Sequence, residues 1–89
     1  MKQIIQSNRF KRDVKRVLKR GLNIGKFEII LGLLVEGAPL PDRCRPHKLS
    51  GNYLGFWECH IEPDWLLIYD TGSDFVELAA TGSHADLFE

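Results

Sequence analysis

Residues 59–69 of the chain read Cys-His-Ile-Glu-Pro-Asp-Trp-Leu-Leu-Ile-Tyr, and this stretch decides the fold. Pro63 fixes its own φ in the range that turns require, and Asp64 is a frequent turn residue. The apolar run 65–69 is too short to cross a membrane and apolar enough to form a buried strand. The stretch therefore predicts a β-hairpin whose body belongs to the core. His60 and Asp64 would lie at its tip, where a rigid scaffold can hold a functional site.

Residues before this hairpin have the periodicity of one short strand and two helices. The strand covers residues 2–6, and the first helix is capped by Ser7 or Asn8 and ends at Gly21. Its apolar residues recur at helical spacing: Phe10, Val14, Val17 and Leu18. The second helix begins after Asn23, ends at Gly37 and buries Phe27, Ile30, Leu31 and Leu34. The very short link predicts an αα-hairpin.

Residues after the helices predict a loop, three strands and a short helical turn. Three prolines keep 38–46 in a loop, and the strands are expected over 53–61, 65–70 and 75–80. Ser83 and Asp86 have the spacing of a capping box, which places His84 in the first turn of a helix that ends at Phe88. The order β-α-α-β-β-β predicts one α+β domain over 1–89, with two N-terminal helices packed on a small antiparallel β-sheet.

Composition excludes several classes of protein. A chain of 89 residues with 44% hydrophobic content can bury a core without disulfides or a metal. Cys44 and Cys59 have no metal-ligating spacing, so we expect two free thiols. No apolar signal region follows Met1, and no span reaches membrane length. These features predict a cytoplasmic protein without a membrane partner.

Charge is divided between the two halves of the chain. All twelve Lys and Arg residues lie between Lys2 and Lys48, beside four acidic residues, whereas the other eight acidic residues lie between Leu49 and Glu89. Such asymmetry is typical of a nucleic-acid-binding protein or of one with an acidic partner. The alternative is that the two halves pair with each other across the fold.

Three blocks of sequence resemble the signatures of YafQ-type toxins, which belong to the RelE/ParE superfamily of bacterial toxin–antitoxin systems. The blocks are Pro46-His47-Lys48-Leu49, the stretch 59–69, and Thr81-Gly82-Ser83-His84-Ala85-Asp86-Leu87-Phe88. They occur in the family's order and separations, and the likeness covers essentially the whole chain. The resemblance implies a RelE-like fold, an endoribonuclease that cuts mRNA on the ribosome, and a small antitoxin as partner.

The family's functional residues fall on five positions of this sequence: His47, His60, Asp64, His84 and Phe88. One departure is visible, because Lys48 follows His47 where the family pattern has proline. The lysine leaves the histidine in place and can alter the loop or add a phosphate contact.

The chemistry of these residue types fits RNA cleavage without a metal or a cofactor. A base must take the 2′-OH proton, an acid must protonate the departing 5′-oxygen, and positive charge must face the phosphorane. Histidine serves as either acid or base near neutral pH. If Asp64 approaches His60, that ring is favoured as acid, whereas a helix N-terminus favours His84 as base. His47 can take either role, and Phe88 offers a face for an unpaired base.

Phosphate contacts are expected from the cationic residues of the first half. The outer arc of the first helix contains Lys11, Arg12, Lys15, Arg16 and Lys19, and we expect the last four to bind RNA or the ribosome. The proline-rich loop adds Arg43, Arg45 and Lys48.

Each of these residues also has a structural interpretation. A lone histidine in a strand is usually a packing residue, Phe88 is ordinarily a hydrophobic latch, and a basic helix face is ordinarily only solvated. A zinc site is disfavoured, since no HxxxH or HExxH spacing is present. Two other functions remain open: a non-catalytic ParE-like toxin that poisons DNA gyrase, and a module that merely holds an antitoxin.

Overall fold

The computed structural model describes residues 2–88, which form a five-stranded sheet with helices on both faces. In chain order the elements are β1 (Gln3–Gln6), α1 (Asn8–Lys19), α2 (Ile24–Glu36), β2 (His47–Lys48), β3 (Trp57–Glu62), β4 (Trp65–Thr71), β5 (Phe75–Gly82) and α3 (His84–Phe88). Two 3₁₀ turns, Asp42–Cys44 and Gly51–Tyr53, flank β2. The strand order is β1-β5-β4-β3-β2. The α+β class predicted from the sequence is confirmed.

The sheet is mixed, which corrects the expectation of an antiparallel one. Strands β2 to β5 form the expected antiparallel meander, but β1 pairs with β5 in parallel. β1 lies at the edge of the sheet beside β5, the last strand of the chain, and runs in the same direction as β5. A second correction concerns β2, since residues 47–48 were expected in a loop and instead pair with β3.

The strand predicted to start at residue 53 begins at Trp57. Gly51 and Gly55 have φ values of +66° and +93°, so the chain turns there and cannot yet extend into the sheet. The turn places Tyr53 next to α3, in contact with Phe88.

Helices α1 and α2 cover one face of the sheet, as predicted. The Ser7 side chain accepts a hydrogen bond from the Phe10 backbone and caps α1, and Asn23 caps α2 in the same way. Phe10 and Val17 of α1 are buried against the sheet, but Leu18 is half exposed, which corrects its assignment to the core. The main core contains Cys59, Ile61, Trp65 and Leu67 from the strands together with the buried residues of both helices.

The opposite face carries a smaller core and the short helix α3. Leu66, Ile68 and Ala80 of the strands pack there against Leu87 of α3. Both cysteines are free and buried, and burial raises the pKa of the Cys59 thiol to about 12. No helix within residues 2–88 combines the length and the apolar character that crossing a bilayer requires.

Candidate active site

The predicted site residues form two groups on the α3 side of the sheet. We call His47, Glu58 and His60 the sheet cluster, and Asp64, His84 and Phe88 the helix cluster. The two groups meet at the histidine rings, because the centroids of His60 and His84 are 5.8 Å apart. The ring of His84 lies in turn 6.4 Å from that of Phe88. The structure thus brings all five sequence-predicted residues into one region and adds Glu58.

Strand pairing builds the sheet cluster. His47 on β2 lies directly opposite Glu58 on β3, and the two-residue period of β3 puts His60 on the same face as Glu58. The Glu58 Oε1 atom is 3.3 Å from Nε2 of His47 and 3.9 Å from Nε2 of His60. Glu58 itself is only 5% exposed. A carboxyl group at that depth needs polar partners, and the two histidine rings are the ones that lie nearest among the described ion pairs.

Local carbonyl groups fix the orientation of both rings. Nδ1 of His47 is 2.9 Å from the Arg45 carbonyl oxygen, and Nδ1 of His60 is 3.2 Å from that of Pro63. A carbonyl oxygen only accepts, so each Nδ1 carries a proton. The Nε2 atoms of both rings are then left on the side of Glu58. The sheet cluster therefore holds two histidines with the same ring orientation relative to one carboxyl group.

The helix cluster is joined by a hydrogen-bonded pair. Asp64 Oδ1 accepts from the His84 backbone N–H at 2.9 Å and lies 2.7 Å from Nδ1 of the His84 ring. These two hydrogen bonds from His84 hold the pKa of Asp64 below its ordinary value. With Nδ1 bonded to Asp64, Nε2 of His84 remains for proton transfer.

The partner of Asp64 differs from the one expected. The acid role suggested for His60 depended on an approach of Asp64, but Pro63 and Asp64 form the two-residue tip between Glu62 and Trp65, and the carboxylate reaches α3 instead. The carboxylate near His60 is Glu58, which sequence reasoning missed. Its signal was available, because Glu58 is an acidic residue predicted to share a strand face with His60.

Side chains from α1 hold α3 in place. Arg20 makes a bidentate ion pair with Asp86, in which Nη2 is 2.9 Å from Oδ1, and this pair lowers the pKa of Asp86. Arg9 donates to the Asp86 carbonyl at 3.2 Å and to the Tyr53 hydroxyl at 2.8 Å. Gly82 is required beneath this pair, since a Cβ there would lie 2.7 Å from the Asp86 carboxylate. The predicted capping box between Ser83 and Asp86 is present as well.

The ring of Phe88 remains accessible. It meets Tyr53 edge to face, with centroids 5.9 Å apart, and the residue is 47% exposed. Tyr53 therefore orients one side of the ring, and Phe88 keeps surface for stacking.

The basic arc of α1 is not uniform. Arg16 is exposed, but its guanidinium also lies 3.5 Å from the buried carboxylate of Asp13 and 3.8 Å from that of Asp86, so any RNA contact would compete with these two ion pairs. Asp13 also accepts from the Thr81 backbone at 3.1 Å. The remaining members of the arc are exposed and have no carboxylate partner within residues 2–88: Lys11, Arg12, Lys15 and Lys19. The two charge halves thus pair in part and leave a free cationic surface.

The loop cations differ in where they lie relative to the sheet cluster. Arg43, Arg45 and Lys48 are all exposed. The Lys48 ammonium is 5.7 Å from the centre of the Trp57 ring, within reach of a cation–π interaction. Lys48, which departs from the family pattern, thus lies on the Trp57 face of the sheet, opposite to the face that carries His47 and Glu58.

With three histidines and two carboxylates beside a cationic surface, the chain matches a family of small bacterial toxins. The profile of the family described as "Bacterial toxin of type II toxin-antitoxin system, YafQ" matches residues 2–89. The chain belongs to this family.

Relatives of known sequence and structure agree with that assignment. The chain is 35% identical to the mRNA interferase toxin YafQ of Escherichia coli strain K12 over 88 residues, which are 98% of this chain and 96% of the relative. The toxin in the E. coli DinJ–YafQ toxin–antitoxin complex superposes with a TM-score of 0.90 at 35% identity, covering 99% of this chain and 98% of the other. A metal-bound toxin from Helicobacter pylori gives 0.91 at 33% identity, with coverage of 99% and 100%.

Proposed function

We propose that this toxin is a ribosome-dependent mRNA interferase, an endoribonuclease that cuts mRNA by metal-independent general acid–base catalysis and so inhibits translation. The observation that carries the proposal is the approach of His60 and His84, whose ring centroids are 5.8 Å apart and whose carboxylate neighbours differ. Two histidines in different electrostatic settings suit opposite proton-transfer roles. The mRNA interferase name of the E. coli relative supports the same class of reaction.

His84 fits the role of general base. Its Nδ1–H is directed at Asp64, which leaves the Nε2 lone pair to accept the proton of the 2′-OH. The 2′-oxygen then attacks phosphorus and the bond from phosphorus to the 5′-oxygen breaks. The products are a 2′,3′-cyclic phosphate and a free 5′-OH.

His60 and His47 fit the complementary roles. Both Nε2 atoms face Glu58, the buried acidic residue of the sheet cluster. His60 lies next to His84 and gives its proton to the departing 5′-oxygen, whereas His47 supplies positive charge near the phosphorane. Phe88 stacks on an unpaired base beside the cut, and such a contact is worth about 1–3 kcal/mol.

A primer-extension assay tests this function. Messenger RNA is translated with the purified toxin, with the His84→Ala variant, or with no toxin, and new 5′ ends are mapped. Ribosome dependence predicts cuts in the translated message and none in the same naked RNA. A toxin that arrests growth through gyrase would leave both RNAs intact.

Metal independence needs its own test, because one of the similar structures is a metal-bound toxin from H. pylori. Within residues 2–88 no three His, Cys, Asp or Glu side chains converge as metal ligands. In the sheet cluster, the Nε2 atoms of His47 and His60 both face one carboxylate oxygen of Glu58, and their Nδ1 atoms both lie at hydrogen-bond distance from backbone carbonyls. We therefore expect cleavage to survive titration with EDTA when magnesium is restored to keep ribosomes intact. Activity that follows added copper or zinc would contradict the mechanism.

The partner that controls this toxin is a cognate antitoxin, as the complex of the E. coli relative with DinJ suggests. We expect the antitoxin to cover the site or the free cations of α1, because those surfaces must contact ribosomes and mRNA in the cytoplasm. Hydrogen exchange of free and bound toxin measures this. Absence of protection near His47, residues 60–64, His84 and α1 would mean that inhibition works elsewhere.

A further inference from the structure

A groove of about 410 Å³ opens beside His60 on the side away from α3. Its walls come from three elements, with Lys26 on α2, Arg43 and Arg45 around the first 3₁₀ turn, and Glu62 at the end of β3. Ile61 and Pro63 provide apolar surface between them. The volume is in the range of pockets that hold small ligands, and it adjoins a predicted catalytic ring.

The groove exists because β2 is short. It pairs only with Trp57 and Glu58, so the outer edge of β3 beyond Glu58 has no strand neighbour within residues 2–88. The turn Asp42–Cys44 covers part of this edge and is anchored by Cys44, which is fully buried in the main core. Because Cys44 is buried between Arg43 and Arg45, the two arginines lie on the exposed side of the turn.

The backbone at Arg45 is unusual. Its φ of +48° is the single positive value at a non-glycine residue in the part of the chain described. Such a conformation is unfavourable for a side chain with a Cβ, and residues of this kind concentrate at binding and active sites. The same residue uses its carbonyl to orient His47, so groove and sheet cluster share one backbone segment.

Charge in the groove favours an anion. No carboxylate within residues 2–88 pairs with Arg43 or Arg45. Glu62 is the one acidic residue on the described walls, and its Oε2 is 2.8 Å from the Lys26 ammonium. That ion pair is half exposed, so it adds little stability and can open at small cost.

We propose that this groove binds the backbone phosphate adjacent to the scissile one on the substrate RNA strand. Arg43 and Arg45 contact the phosphate directly, and the ribose lies on Ile61 and Pro63. Lys26 breaks its ion pair with Glu62 and contacts the phosphate as well. Because Glu62 competes for Lys26, it weakens RNA binding. The inference rests on the proposed RNA cleavage and specifies where the strand runs past His60.

The first test pairs a protein variant with a modified substrate. Single-turnover kcat/KM is measured on ribosomes programmed with mRNA that carries one neutral methylphosphonate at each position flanking the cut in turn. We expect Arg43→Gln to lower kcat/KM by roughly tenfold, the size of a lost charge-assisted contact. At one flanking position the methylphosphonate should lower kcat/KM clearly less for Arg43→Gln than for the parent, because the variant has already lost the Arg43 contact and only the contacts of Arg45 and Lys26 remain to be lost.

The matched control is Lys11→Gln, which removes one exposed charge on α1, away from the groove. Its effect should add to that of every methylphosphonate. The effect of Arg43→Gln on kcat/KM could also add fully to the methylphosphonate effect at every position. The groove then does not hold the substrate phosphate, and a contact of Arg43 with ribosomal RNA explains the lower kcat/KM of the variant.

The second test concerns the ion pair. Glu62→Gln should raise kcat/KM severalfold at moderate salt, because it frees Lys26 and removes the carboxylate. The melting temperature should stay unchanged. Lys26→Gln should lower kcat/KM and reduce the salt slope by about 0.7, as expected for one contact to a single strand. A Glu62→Gln variant that is less stable and no more active would show a purely structural pair and overturn this part of the proposal.

Failure of the groove and failure of the function have different signatures. A parent protein that cuts mRNA while all groove variants behave as Lys11→Gln rejects the groove alone. A parent that never cuts mRNA but binds an RNA oligonucleotide in an Arg43-dependent way rejects the function and keeps the groove.

Discussion

The sheet cluster and the helix cluster contribute to one site but are held by different forces. Backbone pairing of β2 with β3 positions His47 opposite Glu58, and the carboxylate between the histidines is buried. The helix cluster lies at the surface, with Asp64 and His84 exposed by 68% and 54% in their side chains. Helix α3 has only five residues, too few to be stable alone, so tertiary contacts maintain it.

The difference teaches where the site is robust and where it is adjustable. Removing a partner from the sheet cluster leaves a buried charge uncompensated, which is expensive. The helix cluster depends on ion pairs from α1, which respond to pH and salt. Substitutions can therefore distinguish loss of chemistry from loss of positioning.

The largest effect is expected from His84→Ala. Removal of a general base typically costs ~10²–10⁴-fold in rate, and the exposed ring contributes little to the core. Single-turnover cleavage of programmed ribosomes and a thermal melt of the same sample measure both quantities. His60→Ala should lose activity similarly. A folded His84→Ala protein with parental activity would remove the helix cluster from catalysis.

Glu58→Gln should have the next largest effect. The amide keeps the shape of the side chain but cannot stabilise two protonated rings, so we expect a loss of roughly 10- to 100-fold in rate, equivalent to a charge-assisted hydrogen bond. The matched control is Glu77→Gln, a partly buried acid on β5 with no histidine contact recorded within residues 2–88. Equal activities for both variants would show that Glu58 serves packing only.

Asp86→Asn should loosen α3 without touching the chemistry directly. Losing the Arg20 pair, whose arginine is exposed, should lower Tm by only a few degrees. Because α3 carries His84, the cleavage rate should fall a few-fold, and high salt should reproduce part of the effect in the parent. An Asp86→Asn protein with parental Tm would mean that α3 is held by Leu87 alone.

The same pair predicts a pH dependence of stability. Arg20 lowers the pKa of Asp86, so its stabilisation is complete above the ordinary carboxyl pKa of about 4 and is lost as pH falls through the lower, folded-state value. The difference in unfolding free energy between the parent and Asp86→Asn should be constant from pH 5 to 8, as expected from those carboxyl values, and shrink in acid. A difference that grows in acid would have the wrong sign for this pair.

The smallest effect on chemistry is expected from Lys15→Ala/Lys19→Ala. Both residues are exposed on α1 and distant in sequence from either cluster, so the rate at saturation should be unchanged. Ribosome affinity should fall at moderate salt, and its salt dependence should flatten by roughly one unit of slope per lost contact. Identical binding at every salt concentration would make this part of α1 a solvated surface only.

Much of the fold could be predicted from local patterns in the sequence. The hairpin around Pro63, both helix caps and the capping box at Ser83 depend on residues within a few positions of each other, and each is present. The free cysteines were predicted as well. The parallel placement of β1 was missed, because its partner β5 lies about seventy positions away and no local pattern encodes that pairing.

The sequence by itself determined which residue types occupy the site and which face or turn each one occupies, because side-chain periodicity and turn chemistry are short-range properties. Only the tertiary structure decided their partners. The β2–β3 register placed Glu58 between His47 and His60, and docking of α3 drew Asp64 to His84. Packing of α1 likewise buried Asp13, which gave the exposed Arg16 an ion-pair partner. Ion pairs depend on distances of a few ångströms across separate elements, and those distances exist only once the elements have packed.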